Sequence, residues 1–453
     1  MSDVVDLARR VAGGARAGEQ IEAFVVRSTS TAVRVHGGEV ESLTSAASAG
    51  VGVRVVTADR RQGFAWGASL DDDVVREATR DARDNAAFGQ PADWNGLAEP
   101  DGVAPAELDL DRPGLAALST DAKVRLALEL ERAVLAGDAR IKGVRTASWG
   151  DGRSERAIAT STGLEAWGRS GSCSLSVLAL ATDGSETRTA GGSATEREPG
   201  DLDLASIAGE AVRKSTRLLG ARPMATGRVT VVFEPEVTAS FLGIVGSLLS
   251  GMAVLKGRSL FAGRLGDAVA APAVTLVDDP TDPESLGGLA HDGEGLASRR
   301  NVLVDRGQLR TFVYDSTTAR RAGGEVRSTG SAVRSYRTTP SPSTRALSVL
   351  PGPTGTQEAL LAAVGDGVLV QSLRGLNSGV NRVSGDFSVG ADGLRIRDGE
   401  LAEPVSGVTV ASTLPRMLLG VVAVGGDVQR RGGALAPSLA VADIALGGTS
   451  ARR

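Results

Sequence analysis

Histidine, cysteine and carboxylate side chains most often hold metals or move protons, and this chain is short of the first two. Its 453 residues contain only His36, His291 and a single cysteine, Cys173. Catalytic zinc takes three protein ligands, commonly two or more of them histidines, and helical zinc motifs place both histidines within about one turn. With the two histidines far apart in the chain, a compact local motif is excluded. One cysteine likewise excludes an intrachain disulfide and any multi-cysteine zinc or iron–sulfur site, and fits a reducing compartment. In TAVRVH, strand alternation puts His36 on the face of Arg34, opposite Val33 and Val35, which predicts an exposed ring. Cys173, within SCSLSVLAL, is expected to be a small core residue rather than a nucleophile.

His291 is the better candidate. It opens HDGEG, where Asp292 and Glu294 stand between glycines. A general base assisted by a carboxylate needs such a cluster, but a solvent-exposed turn has the same composition and is the preferred reading. Asp278, Asp279, Asp282 and Glu284 offer oxygens to a hard cation. Pro280 and Pro283 interrupt them and the spacing is not that of a calcium loop, so a stiffened acidic turn is expected. Two further stretches are small and polar: LNSGVNRVSGDFSVGADG (Leu376–Gly393), with Asn377, Asn381, Ser384 and Asp386, and STGSAVRSYR (Ser328–Arg337). Such loops can line a cleft and hydrogen-bond an extended peptide, and glycine-rich turns have the same composition. Both readings stay open for the first stretch; a turn is favoured for the second. His291, Asp292, Glu294, Asn377, Asn381, Ser384 and Asp386 are thus the candidates for lining a cavity or binding peptide.

The elements that must position these residues follow from periodicity. Val4, Leu7, Ala8, Val11, Ala12 and Ala15 keep helical spacing. Short β-rich runs follow at 21–27, 31–35, 39–44, 49–56 and 63–66, and a second helix is expected from Asp71–Asp73 to about Ala87. After a Pro/Gly/Asp-rich connection the order returns: a helix capped by Ser119–Asp121, strands at 141–149, 155–161, 168–181 and 186–195, and a helix opened by Asp203. Helix, strands, helix occurs twice, which suggests a duplicated α+β module. Beyond Pro223, the strand VTVVF leads into the uncharged segment Val237–Leu255, and then into many short strands. Serines, threonine and glycines dilute that segment, so a buried helix is expected rather than a membrane span. The chain is therefore expected to be α+β: N-terminal helix-and-sheet modules at 1–90 and 119–222 joined by a linker at 91–118, and a largely antiparallel β domain with a buried helix at 223–453.

Composition narrows the partners. A formal charge of −4 and arginine pairs scattered without a basic run make nucleic acid an unexpected partner. The start, MSDVVDLARR, lacks the basic-then-apolar pattern of a signal peptide, so a cytoplasmic protein is expected.

Taken in order, VTVVF with its apolar helix, DGEGLASRRNVLVDRGQLRTFVYDSTTARR, STGSA, LNSGVNRVSGDFSVGADGLRIRDGE, PVSGVTVA and VGGD resemble the TldD/PmbA family, once called modulators of DNA gyrase. SGVNRVSGDFSVGA is similar to the PmbA, or TldE, branch. The resemblance implies a heterodimeric cytoplasmic metalloprotease in which a TldD-type subunit holds zinc with a His-Glu-x-x-x-His helix and a further cysteine, the TldE-type subunit lacks them, and the pair encloses a cavity for unfolded peptides. The corresponding helix here, SFLGIVGSLLSG (Ser240–Gly251), has no His, Glu or Cys, so no family ligand carries over. The expectation is a subunit without a complete catalytic or metal site and without a cofactor of its own, dimeric with a zinc-bearing TldD-type partner. A homodimeric peptide-binding scaffold, and a hydrolase using His291 and carboxylates, are the alternatives.

Overall fold

In the computed structural model, which describes residues 3–448, the apolar stripe Val4, Leu7, Ala8 and Val11 forms the buried side of helix α1 (Asp3–Ala12). The helix stops at Gly13 and Gly14, so Ala15 lies outside it. Strands β1 (Gln20–His36), β2 (Glu39–Val56) and β3 (Gln62–Gly67) and helix α2 (Asp72–Phe88) follow. A short helix α3 (Pro113–Ala117) precedes the same order again: α4 (Thr120–Gly137), β4 (Ile141–Thr160), β5 (Glu165–Thr182), β6 (Thr187–Glu196) and α5 (Leu204–Thr216). Ser119 and Asp203 cap α4 and α5 by accepting from the backbone N–H groups of Ala122 and Ser206.

The two strand triplets share one sheet. β1 pairs with β4, giving an antiparallel order β3-β2-β1-β4-β5-β6 in which each half mirrors the other about the central pair. The likeness reaches single residues. Gly63 in β3 and Gly192 in β6 each face a helix backbone so closely that a Cβ would sit 2.1 Å from the carbonyl oxygens of Ala82 and Ile207 respectively. The strands are longer than sequence patterning predicts. Ser28–Ser30 and Gly150–Ser154 look like turns, but Ser28 has both Ser48 and Ser154 as register partners, so the ladders on either side carry these residues through.

Alternation along β1 sorts the two faces of the sheet. Ile21, Ala23 and Val25 pack under α1 and α2, and Val33 and Val35 under α4 and α5. Glu22 and Phe24 point to the opposite face, which meets the C-terminal domain. Between the triplets, residues 90–112 form no helix or strand, yet they are held down. Arg320 donates to the carbonyls of Trp94, Gly96 and Leu97, and Arg153 pairs with Asp111 at 2.7 Å.

In the C-terminal domain, β7 (Gly227–Phe233) lies inside a second six-stranded sheet, parallel to strand Gly367–Arg374 and antiparallel to strand Leu439–Gly447. Strands Asp386–Arg397, Glu400–Thr413 and Val421–Val424 complete it, all in antiparallel pairings. Helix α6 (Pro235–Leu248) buries Phe241, Leu242, Val245 and Leu248 in this domain's core. The apolar segment is not one helix to Leu255. It breaks at Ser250, where the Gly251 N–H donates to the Val313 carbonyl at 2.8 Å and the Ser250 hydroxyl to the Pro342 carbonyl at 2.9 Å, and a short helix Gly251–Leu255 resumes. Among the described residues no helix is long and apolar enough to cross a membrane.

Candidate functional site

The HDGEG segment sits where the N-terminal sheet meets the C-terminal domain, above a charged cluster. Glu22 and Arg54 are register partners on β1 and β2, joined by hydrogen bonds of 3.1 and 2.8 Å. Arg334, from the STGSAVRSYR segment, also donates to Glu22, and its guanidinium lies 4.9 Å from the Phe24 ring centroid. Glu294 reaches the cluster from above. One oxygen lies 3.5 Å from Arg54, and the other accepts the Ser316 N–H at 2.8 Å, at the start of helix Ser316–Ala322. Asp292 accepts three backbone N–H groups, from Glu294 at 2.9 Å, Leu296 at 3.1 Å and Ala332 at 3.0 Å. HDGEG is therefore a turn, but not the solvent-exposed one expected: Asp292 is 4% exposed and Glu294 0%. The glycines that suggest a surface loop serve close packing instead, since a Cβ on Gly293 would meet the Ala332 carbonyl at 3.0 Å.

Burial and charge compete in this cluster. Burial alone would raise the Glu22 carboxyl, but Arg54 and Arg334 outweigh it and hold the group below the ordinary carboxylate range. Burial and then the neighbouring Glu294 push Asp292 up to about 8, against the pull of its three amides. The same two causes push Asp315, the cap of helix Ser316–Ala322, up to about 6. The carboxyl oxygens of Asp292 and Glu294 are thus engaged by internal donors. Their geometry suits fastening the two domains rather than activating water for a substrate.

His291 lies on the solvent side of this cluster and, with Asp292, roofs a cavity of about 360 Å³. The floor comes from the face of the sheet carrying Phe24, Arg156, Ile158 and Ala166, and the wall from Leu108–Asp111 of the connecting stretch. Burial and then the nearby Arg156 lower the His291 imidazole below its ordinary value.

The other candidates lie elsewhere. Asn377, Asn381, Ser384 and Asp386 are exposed on the hairpin between strands Gly367–Arg374 and Asp386–Arg397. There the Asn381 side chain accepts the N–H groups of Val383 and Ser384, and Ser384 donates to Asp386 at 2.6 Å. None of the four lines the His291 cavity. Asp278 ends strand Leu276–Asp278, is buried and accepts the N–H groups of Arg345 and Ala346, and turns follow it at 280–281 and 283–284. His36 is exposed, and the buried Cys173 thiol is pushed up to about 12 by burial and then by Asp151. Sequence reasoning missed Glu22 and Arg54, and singled out Arg334 only as part of a stretch read as a turn. The available signal for the first two was a lone charge inside an apolar run, in IEAFVV and VGVRVV.

Helix α6 does not fit a metal. Phe241, Leu242, Val245 and Leu248 fill its inner face, and its one carboxylate, Glu236, pairs with Lys214 at 2.7 Å. Among the described residues no group of three or more His, Cys, Asp or Glu could hold a metal ion.

Comparison with known proteins sets this architecture in context. Family models match three consecutive stretches: PmbA/TldA metallopeptidase domain 1 at residues 21–86, the central domain at 113–219 and the C-terminal domain at 226–448. The class is therefore that of the three-domain metallopeptidase-like proteins. The chain belongs to the PmbA/TldD family. Metalloprotease PmbA of Escherichia coli O157:H7 is 26% identical over 450 residues, covering 98% of this chain and 96% of that protein. The PmbA homolog of Haemophilus influenzae is 27% identical over 419 residues, covering 92% and 89%. The fold is shared with TldE from Thermococcus kodakarensis, with a TM-score of 0.87 at 24% identity over 98% of this chain and 99% of that one. A putative modulator of DNA gyrase from Thermotoga maritima gives 0.89 at 24% identity, with 98% and 99% coverage.

Proposed function

We propose that this chain is the zinc-free, TldE/PmbA-like subunit of a heterodimeric metalloprotease that degrades or processes unfolded peptides in the cytoplasm. The observation that carries this reading is helix α6. Where a TldD-type subunit is expected to bear His-Glu-x-x-x-His, the segment Ser240–Gly251 has no His, Glu or Cys, and the helix spends its inner face on core packing. Zinc lowers the pKa of bound water only when it is held, so the hydrolytic centre belongs to the partner. The contribution of this chain is to stabilise that partner and complete the cavity walls that admit extended rather than folded substrates. A hydrolase acting alone through His291 and its neighbouring carboxylates is disfavoured, because Asp292 and Glu294 are occupied by internal donors.

The test is co-purification with a TldD-type protein, with mass and zinc content measured together. A one-to-one complex carrying zinc, alongside a zinc-free preparation of this chain alone, supports the reading. Stoichiometric zinc on this chain alone contradicts it.

A further inference from the structure

The cavity roofed by His291 contains a cation without a counter-ion. Arg156 lies on its floor, and its guanidinium makes no hydrogen bond or ion pair with any described residue. The other charges around the cavity are already matched: Asp111 pairs with Arg153 at 2.7 Å, Asp109 with Arg112 at 3.4 Å, and Arg169 with Glu155 at 3.1 Å. Asp292, the acid acting on Arg156 from the roof, is shared among three amides, while Arg345 adds a like charge. A cation turned into a half-apolar cavity and left unpaired is costly, and an anionic ligand relieves that cost.

We propose that this cavity binds a carboxylate carried on a small apolar group, the chemistry of a peptide C-terminus, with Arg156 as charge partner and Phe24, Ile158 and Ala166 as the apolar floor. One guanidinium matches the planar, singly charged carboxylate. The apolar floor favours a hydrocarbon neighbour over a second charge, and a volume of 360 Å³ suits one terminal residue rather than a folded segment. His291 stands beside the expected anion. Its imidazole is held down partly by Arg156, so neutralising Arg156 raises it. The inference does not depend on the subunit assignment, because the cavity is built wholly from this chain.

With only two histidines in the chain, imidazole NMR of the intact protein reads the site directly, and His36→Gln assigns the His291 signal. The probes are N-acetyl-leucine, N-acetyl-leucinamide, N-acetylglutamic acid α-amide and inorganic phosphate. The expected result is a saturable His291 shift and a higher titration midpoint with N-acetyl-leucine, weaker responses to the α-amide and to phosphate, and none with leucinamide. Arg156→Met should weaken N-acetyl-leucine binding by about 30-fold or more, while the thermal midpoint of the ligand-free protein rises rather than falls, because the unpaired cation is gone. No saturable shift with N-acetyl-leucine, or equal shifts with leucinamide, overturns the site. A stronger response to the glutamic acid α-amide or to phosphate overturns the C-terminal carboxylate as ligand. The wild-type comparison of leucine with leucinamide stands even if the Arg156 variant does not fold.

Discussion

Glu22 and Arg54 face each other across neighbouring strands, and both side chains are almost wholly shut from solvent beneath the HDGEG turn. Arg334 and Glu294 reach the same pair from the C-terminal domain, so one cross-strand pair fastens two domains. Charged residues at these positions cost desolvation, and that cost is offset only while every partner is in place.

Glu22→Gln leaves Arg54 and Arg334 buried without their shared carboxylate. Loss of about 3–5 kcal/mol in unfolding free energy is expected from urea titration. Asp72→Asn, which removes the exposed partner of Arg10, should cost under ~1 kcal/mol. Similar losses for the two variants would show that the buried cluster contributes no more than a surface pair.

Stability should also depend on pH through Asp292. Its folded carboxyl is raised from 3.8 to about 8, so across that window the folded state keeps a proton that the unfolded state has released. Stability from this group is therefore full at low pH and falls as pH rises through the folded value. His291 is shifted downward and acts in the opposite sense, mainly below the ordinary imidazole value of 6.5, which leaves pH 7–8 as the clean interval. Over that unit the wild type should lose about 1 kcal/mol, and Asp292→Asn should be nearly flat in the same urea titration. Parallel slopes for the two proteins would assign the effect to another group.

The matched glycines test the likeness between the two halves of the N-terminal sheet. Gly63→Ala and Gly192→Ala each force a methyl against helix backbone, and each should cost ~1–3 kcal/mol. Gly209, exposed on α5 with open space around its position, is the contrast: Gly209→Ala should stabilise by about 0.5–1 kcal/mol. Thermal melting of the three variants gives the comparison, and a neutral result at either strand glycine would mean that the helix there can withdraw.

Local signals made much of the fold legible. The stripe Val4, Leu7, Ala8 and Val11, the caps Ser119 and Asp203 and the doubled order of elements are all properties of neighbouring residues. The joining of β1 to β4 is not local, and no window around either strand contains it. The same limit explains the strand breaks expected at Ser28–Ser30 and Gly150–Ser154. Hydroxyls and glycines there suggest turns until a ladder on each side holds them extended. At the candidate site, HDGEG stood out by composition, but its burial depended on Glu22, Arg54 and Arg334, hundreds of residues away in two of the three cases. The hairpin with Asn377 and Asp386 stood out for the same compositional reason and lies apart from the cavity.

The most direct test of the subunit assignment is cleavage of an unstructured peptide by this chain alone, by a TldD-type partner alone, and by the two mixed, each with and without a zinc chelator. The account predicts cleavage by the mixture only, abolished by the chelator. Chelator-resistant cleavage by this chain alone would contradict it and return the catalytic role to His291 or a carboxylate of this chain.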